Sequence, residues 1–431
     1  MKTPVLIGFF YFFALTVVWS QIMQPPPRDS FDVIVVFPEG TSFKAIEGRK
    51  NSLGAKEKWI TPITKARLWR MPNSRTVKSG DPADWFPYSS PTEAVERARR
   101  KTSGVEFFIE ENVEITIPES PNMWLSRPSA SCVTLDIKRF VVPPNKNGRP
   151  GKIAILDTGL GCNSRIPDCK IPPELNSLIA FGEGYNFTND YPSVKIFGDN
   201  HGHGMAVASL IAPNMGNAAN IVPIKVLDRH AKGRMYALIQ GIDHAIQTNV
   251  DIINISIVAE VRPNSDGKYF PLDKTPLGIA MGMAQRNDIL VVCAAGNNQR
   301  IIDDKPLLPA CVPADNILVV GAESCIGSIA SFSNVGLIHV DIFAPGENII
   351  VPTVEGLTRP VSGTSFATPI VAGIAFALRT HSGTRSWQQL KCAIMQGAYR
   401  TKGSVFVGKC VSGGTIDNTA ALGRLSYCFR K

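Results

Sequence analysis

Ser365 stands in Gly363-Thr364-Ser365-Phe366-Ala367-Thr368-Pro369, and the run behind it, residues 370–378, carries no charge before Arg379. A polar boundary, a proline within the first turns and an unbroken apolar run predict a helix that begins at Ser365 and is buried on every side. A hydroxyl at such a start sits at the positive end of the helix dipole, among backbone N–H groups without intrahelical acceptors. That suits attack on a carbonyl, because the same donors can receive the oxyanion that forms. A serine that merely caps the helix fits this stretch equally well, so the choice rests on other groups.

Acyl transfer by serine requires a base, a group that orients the base, and oxyanion donors. The chain has six histidines: His201, His203, His230, His244, His339 and His381. His203 lies between Gly202 and Gly204 and leads into the small-residue helical run Met205-Ala206-Val207-Ala208-Ser209-Leu210-Ile211-Ala212. Flanking glycines let backbone and substrate approach an imidazole closely. Asp157 closes the apolar strand Ile153-Ala154-Ile155-Leu156-Asp157 and is the expected acceptor for the other imidazole nitrogen. Asn297, in Ala294-Ala295-Gly296-Asn297, offers an amide as oxyanion donor beside the backbone N–H of Ser365.

The elements that must position these groups are legible in the same way. Apolar strands at residues 153–157, 222–228, 250–256 and 289–295 alternate with helical segments at 235–247 and 277–285. This predicts an α/β fold, a mostly parallel sheet with helices on both faces, whose function gathers at the carboxyl ends of the strands. Asp157, Ser256 and Asn297 all fall at such ends. Upstream, a strand at 32–37, a helix from about Ser42, a helix opening at Ser90-Pro91-Thr92-Glu93, and extended pieces at 105–109 and 113–117 make a small α+β domain. Residues 52–90 are read as mostly irregular. Arg97-Ala98-Arg99-Arg100 reads as a solvated helix face or as a basic processing site.

With these motifs in order, the chain resembles the subtilisin-type serine proteases, the subtilases, of the proteinase K-like kind. Their signatures match Ile155-Leu156-Asp157-Thr158-Gly159, Gly202-His203-Gly204, Ala294-Ala295-Gly296-Asn297 and Gly363-Thr364-Ser365-Phe366-Ala367-Thr368-Pro369. Further matches are Lys225-Val226-Leu227-Asp228, Ala330-Ser331-Phe332-Ser333-Asn334 and Asp341-Ile342-Phe343-Ala344-Pro345-Gly346. The resemblance implies a serine endopeptidase with Asp157, His203 and Ser365 as triad and Asn297 as oxyanion donor. It implies substrate contacts along Ser256, Ile257 and Val258, along Lys232 and Gly233, and at Ala295 and Gly296. It also implies an inhibitory propeptide, giving a division into a signal peptide (1–20), a propeptide (21–120) and a peptidase domain (121–431), with the cut between about Ile117 and Trp124. The substrates are proteins or peptides, and the propeptide is an intramolecular inhibitor.

Departures from the family pattern carry expectations of their own. Met205-Ala206-Val207-Ala208-Ser209 keeps only the Val-Ala pair after His203; counting from His201 instead breaks that register, so His201 is read as a cleft-rim residue. In Ser256-Ile257-Val258-Ala259, Val258 and Ala259 stand where the family usually has glycines, which predicts a narrowed pocket and small side chains before the scissile bond. Arg229, Lys232 and Arg234 are solvated charge or a preference for acidic substrates. The segment between Ala212 and Ile221 is too short for the family's tight calcium loop. No cofactor is required, and Asp341 is the one candidate for a weakly bound calcium.

Composition sets the outer bounds. A chain of 431 residues with 44% hydrophobic and 19% charged residues is a globular protein of about two domains. A net charge of +9 spread along it gives no basic arm for nucleic acid. Residues 1–20, with Lys2 ahead of an apolar block, read as a secretory signal or a signal anchor, and predict a secreted, extracellular protein with no stable membrane span once the signal is removed. Nine cysteines then imply disulfides: Cys162 and Cys169 are close in one loop, Cys392, Cys410 and Cys428 cluster late, and Cys293 is the expected buried thiol. Asn186-Phe187-Thr188 is a glycosylation acceptor pattern, while Asn254-Ile255-Ser256 falls within a buried strand. The competing readings are a catalytically silent homologue that acts as a binding protein, and an N-terminal domain that works alone as an inhibitor.

Overall fold

The structure, a computed structural model, describes residues 30–53, 55–72, 95, 108–118, 151–162, 170–190, 193, 197–215, 219–263, 267–381, 386–400 and 404–429. The signal expected at 1–20, the helix expected from Pro91 with its arginine cluster, Cys169 and the interval 119–124 lie outside the described residues.

Seven parallel strands form the large sheet. In spatial order they are β15 (Ile342–Pro345), β14 (Ile317–Glu323), β12 (Leu290–Ala294), β10 (Ile252–Ile255), β6 (Lys152–Asp157), β8 (Asn220–Lys225) and β7 (Tyr185–Asn186). Because side chains alternate along a strand, Ile153 and Ile155 of β6 enter one core with the Thr364–His381 helix, while Ala154 and Leu156 enter another with the Met235–Gln247 helix. Both faces are covered, which is why these strands read as continuous apolar runs. The chain leaves β6, forms β8 on one side and then crosses to β10 on the other, so the ends of β6 and β10 lie at the point where strand order reverses. Clefts form outside the carboxyl ends of strands at such a point.

The expected α+β unit is present upstream as an antiparallel sheet in the order β2 (Lys56–Ile60), β3 (Arg67–Pro72), β1 (Ser30–Val36), β4 (Phe108–Glu111), with the helix Phe43–Ser52. Two of these strands correct the irregular reading of 52–90. Leu68, Trp69 and Met71 of β3 are buried, and the charges that hid the strand are cross-strand partners: Arg70 pairs with Asp32 at 2.8 Å and Arg67 with Glu57. One face of this sheet, through Ile34, Val36 and Leu68, joins the core of the large domain. Asn112 Oδ1 accepts from Tyr236 N at 2.9 Å and Glu110 Oε1 from Leu277 N at 3.2 Å. These are first-turn donors of the Met235–Gln247 and Pro276–Arg286 helices, groups that helices leave without acceptors of their own.

From this unit the chain runs into β5 (Glu114–Thr116), antiparallel to β9 (Lys232–Arg234) of the large domain. Two short pairs complete the framework: β11 (Ala259–Glu260) with β13 (Leu307–Leu308), and β16 (Ile349–Pro352) with β17 (Thr358–Val361). Cys392 and Cys428 are disulfide-bonded, Cys162 and Cys325 are each in a disulfide, and Cys293, Cys311 and Cys410 are buried thiols. No helix among the described residues is long and apolar enough to cross a membrane. Asn186 is 1% exposed, and its Oδ1 accepts from Thr188 N and Oγ1 at 2.8 and 2.7 Å; burial therefore corrects its reading as a glycan acceptor.

Candidate active site

Asp157 ends β6 and His203 begins the His203–Ile211 helix; His203 Nδ1–H donates to Asp157 Oδ1 at 2.8 Å, and both side chains are fully buried. The sequence Gly-His-Gly permits this approach. Gly202 has φ +90°, a left-handed turn that glycine adopts without strain. A Cβ on Gly204 would lie 2.0 Å from the Gly159 carbonyl oxygen, so only glycine lets the helix start close against the loop after Asp157. In the neutral imidazole, the bond to Asp157 keeps the proton on Nδ1 and makes Nε2 the acceptor nitrogen. Nε2 is buried and has no hydrogen-bond partner among the described residues.

Ser365 lies in the first turn of the Thr364–His381 helix, which is buried from Thr364 through Arg379. Pro369 has no N–H to give the carbonyl four residues back, which is that of Ser365. The Ser256 hydroxyl fills the gap, donating to Ser365 O at 2.9 Å, and Asn254 Nδ2 donates in turn to Ser256 Oγ at 3.2 Å. Ser365 Oγ is buried and has no hydrogen-bond partner among the described residues, and the neighbouring Phe366 ring stands 5.2 Å from the His203 ring, centroid to centroid. A Cβ on Gly363 would lie 3.1 Å from Ser365 Oγ and 3.2 Å from Asn297 Nδ2, so the hydroxyl and the amide flank this one glycine.

Asn297 is held from behind. Its Oδ1 accepts from Thr364 N at 2.9 Å and Thr364 Oγ1 at 2.8 Å, which aims Nδ2 outward. That Nδ2 donates to the carbonyl of Pro118 at 3.1 Å. The segment carrying Pro118 lies along the cleft as an added strand. Glu114, Ile115 and Thr116 pair with Arg234, Gly233 and Lys232 on one side. On the other, Thr116 N donates to Val258 O at 3.0 Å and Val258 N to Thr116 O at 2.8 Å. Ile115 is fully buried and Ile117 is 3% exposed. Lys232 makes its ion pair with Glu114, at 3.2 Å and in solvent.

The sequence-predicted residues thus divide. Asp157 is bonded to His203, Ser365 Oγ and Asn297 Nδ2 flank Gly363, and the Phe366 ring packs beside the His203 ring, with no hydrogen bond between His203 Nε2 and Ser365 Oγ; Lys232, Gly233 and Val258 line the added strand. The Ser256 hydroxyl is engaged with the Ser365 helix and the Ile257 side chain is fully buried in the core, so these two residues can meet a substrate through their backbone alone. The backbone of Ala295 and Gly296 bonds to Val320, Asn334 and Thr364, so these residues hold the Asn297 loop in shape. Asp341 is a poor cation ligand, because Lys391 Nζ sits 3.2 Å from one oxygen and Val319 N donates to the other at 2.8 Å. Burial raises its pKa, opposed by Lys391. His201 lies 6.3 Å from His203 between ring centroids; burial first, then the nearby His203, lower its pKa.

Sequence reasoning missed Thr158, Asp199, Asn334 and Thr364. Asn334 Oδ1 accepts from Asn298 N at 2.9 Å and Arg300 N at 3.1 Å, and its Nδ2 donates to Ala295 O at 2.8 Å. The Ser333-Asn334 motif was the available signal for it.

A sequence model of the subtilase family matches residues 148–420. An intracellular serine protease of Paenibacillus polymyxa is 36% identical over 253 residues, covering 56% of this chain and 70% of that protein. The major intracellular serine protease of Bacillus subtilis (strain 168) is 32% identical over 244 residues, 54% of this chain and 70% of its own length. Subtilisin DY of Bacillus licheniformis is 29% identical over 267 residues, covering 60% and 87%. The crystal structure of an epidermin leader peptide processing serine protease from Staphylococcus aureus superposes with a TM-score of 0.65, covering 92% of this chain and 98% of that one at 17% identity, a likeness of fold. Two of these relatives are intracellular by name, which overturns the expectation of a secreted, extracellular protein.

Proposed function

The chain belongs to the subtilase family and is a subtilisin-like serine endopeptidase, and from that premise we propose that Asp157, His203 and Ser365 are its catalytic triad, with Asn297 as oxyanion donor, in a precursor that inhibits and processes itself. Ser365 Oγ attacks the peptide carbonyl while His203 Nε2 takes its proton. Asp157 keeps the imidazole in the required tautomer and stabilises the imidazolium. Asn297 Nδ2 and the positive end of the Thr364–His381 helix stabilise the oxyanion, and His203 then returns the proton to the leaving amine.

The observation that carries this reading is the Pro118 carbonyl, 3.1 Å from Asn297 Nδ2 at the end of a strand whose Thr116 is paired through both backbone groups with Val258. A peptide held as an added strand gains main-chain bonds independent of its sequence, and specificity comes from the pockets for alternate side chains. Pro118 therefore occupies the position before the scissile bond, Ile115 fills a buried subsite, and the processed bond is Pro118–Glu119. The preferred substrates carry a small side chain or proline before the bond and a branched aliphatic residue three positions earlier. N-terminal sequencing of the purified wild-type chain beside Ser365→Ala tests this. The wild type is expected to begin at Glu119 and the alanine form to keep its precursor start; identical trimming of both would assign the cut to another protease.

A further inference from the structure

Thr158 follows Asp157 directly, and all of its polar atoms are engaged. Its N–H donates to Asp157 Oδ1 at 2.7 Å. Its carbonyl accepts from Lys225 Nζ, a fully buried ammonium 3.2 Å from Asp190 Oδ2. Its hydroxyl donates to Asp199 Oδ1 at 2.9 Å and accepts from Gly204 N at 2.9 Å. Asp199 is itself 0% exposed, and its carboxylate takes three more donors: His201 N at 3.0 Å, Gly202 N at 2.8 Å and Met205 N at 2.8 Å.

A buried carboxylate is costly to desolvate, and a neutral cap would satisfy one helix-terminal donor more cheaply. A carboxylate can instead accept from four donors at once, and here one of the four comes from the opposite element. It spans from the end of β6, which carries Asp157, to the first turn of the helix that carries His203. We propose that Asp199 and Thr158 are positioning residues that hold the Asp157–His203 pair in register for proton transfer, without touching substrate. The proposal rests on the triad reading above. Misplacing reacting groups by about 1 Å can cost roughly 10²-fold in rate, so weakening this link lowers kcat before it lowers substrate binding.

The test uses Thr158→Val, which keeps the shape and removes the hydroxyl, Thr158→Ser, which restores it, and Asp199→Asn, which keeps the shape and loses an acceptor. Peptide hydrolysis is measured per Ser365 labelled to completion with a fluorophosphonate, so unfolded protein lowers the labelled fraction and leaves kcat per site unaffected. Thr158→Val and Asp199→Asn are expected to lower kcat about 10- to 100-fold with KM changed less than about threefold. Thr158→Ser recovers to within about threefold, and the double variant is no worse than the worse single, because both break one link. Values of kcat within twofold of wild type for both single variants, or a serine variant as slow as the valine, would overturn the proposal. If Asp199→Asn yields no folded chain, the valine-to-serine ratio decides alone, and a ratio below two overturns it. Wild-type protein that never labels at Ser365 removes the triad reading itself, whereas labelled wild type with unimpaired variants removes only the brace.

Discussion

Replacing Asn297 isolates the electrostatic part of catalysis. Its Nδ2 lies 3.1 Å from the Pro118 carbonyl oxygen, its Oδ1 is fixed by two bonds from Thr364, and the residue is 5% exposed. A donor so fixed reorganises little as charge develops, and buried water cannot readily replace it. Asn297→Ala should therefore cost about 3–4 kcal/mol of transition-state stabilisation, roughly 10²–10³-fold in kcat, with little change in KM. Asn297→Asp sharpens the test. It preserves volume and keeps an oxygen for Thr364, but sets a carboxylate oxygen against the oxyanion, so it should be slower than alanine by about tenfold or more. Steady-state hydrolysis of a chromogenic peptide, normalised to labelled sites, measures both. An alanine variant within about tenfold of wild type, or an aspartate variant faster than alanine, would refute the reasoning.

Three further outcomes follow from the same structure. Ile115→Ala empties a fully buried subsite at a cost of about 2 kcal/mol or more, so freshly processed protein should show roughly 30-fold greater activity before its N-terminal region dissociates; unchanged latency would argue that the strand is held by its backbone alone. Burial raises the pKa of Asp243, against the opposing backbone donors Ile63 N and Thr64 N, which lie 2.8 and 3.2 Å from its Oδ2. A raised carboxyl pKa stabilises below the ordinary Asp value and loses that contribution as pH climbs through the raised one, so the thermal midpoint of the full chain should fall across that window and Asp243→Asn should flatten the profile. Burial also raises the Cys293 thiol and pushes Cys311 up to about 12; both should resist iodoacetamide in the native state at mildly alkaline pH and react once denatured, as mass spectrometry can follow.

Much of the large domain was legible because its strands are buried on both faces and its helices carry small residues where they approach the sheet. Asp157, His203, Asn297 and Ser365 stood out because each sits where local rules and chemistry coincide: a strand end, a glycine-flanked turn, a helix start. Side-chain direction was not legible. Ser256 lies at a strand end like Asp157, yet its hydroxyl serves the carbonyl that Pro369 leaves unpaired. Asp341 lies in a matching motif, yet its charge is met by Lys391, fifty residues later. Asp199 was missed because nothing around it in sequence marks a carboxylate whose partners come from two elements, one of them Thr158. The strands β2 and β3 were hidden by arginines and glutamate whose partners lie across the sheet.

The central claim is that His203 makes the Ser365 hydroxyl a nucleophile. Reaction of the processed protein with a fluorophosphonate, followed by peptide mapping, tests it most directly. Stoichiometric adduct on Ser365 is predicted in wild type, with the labelling rate reduced about 10³-fold or more in His203→Ala. Processed wild type that carries no adduct on Ser365, or a His203→Ala variant that labels as fast as wild type, would contradict the account.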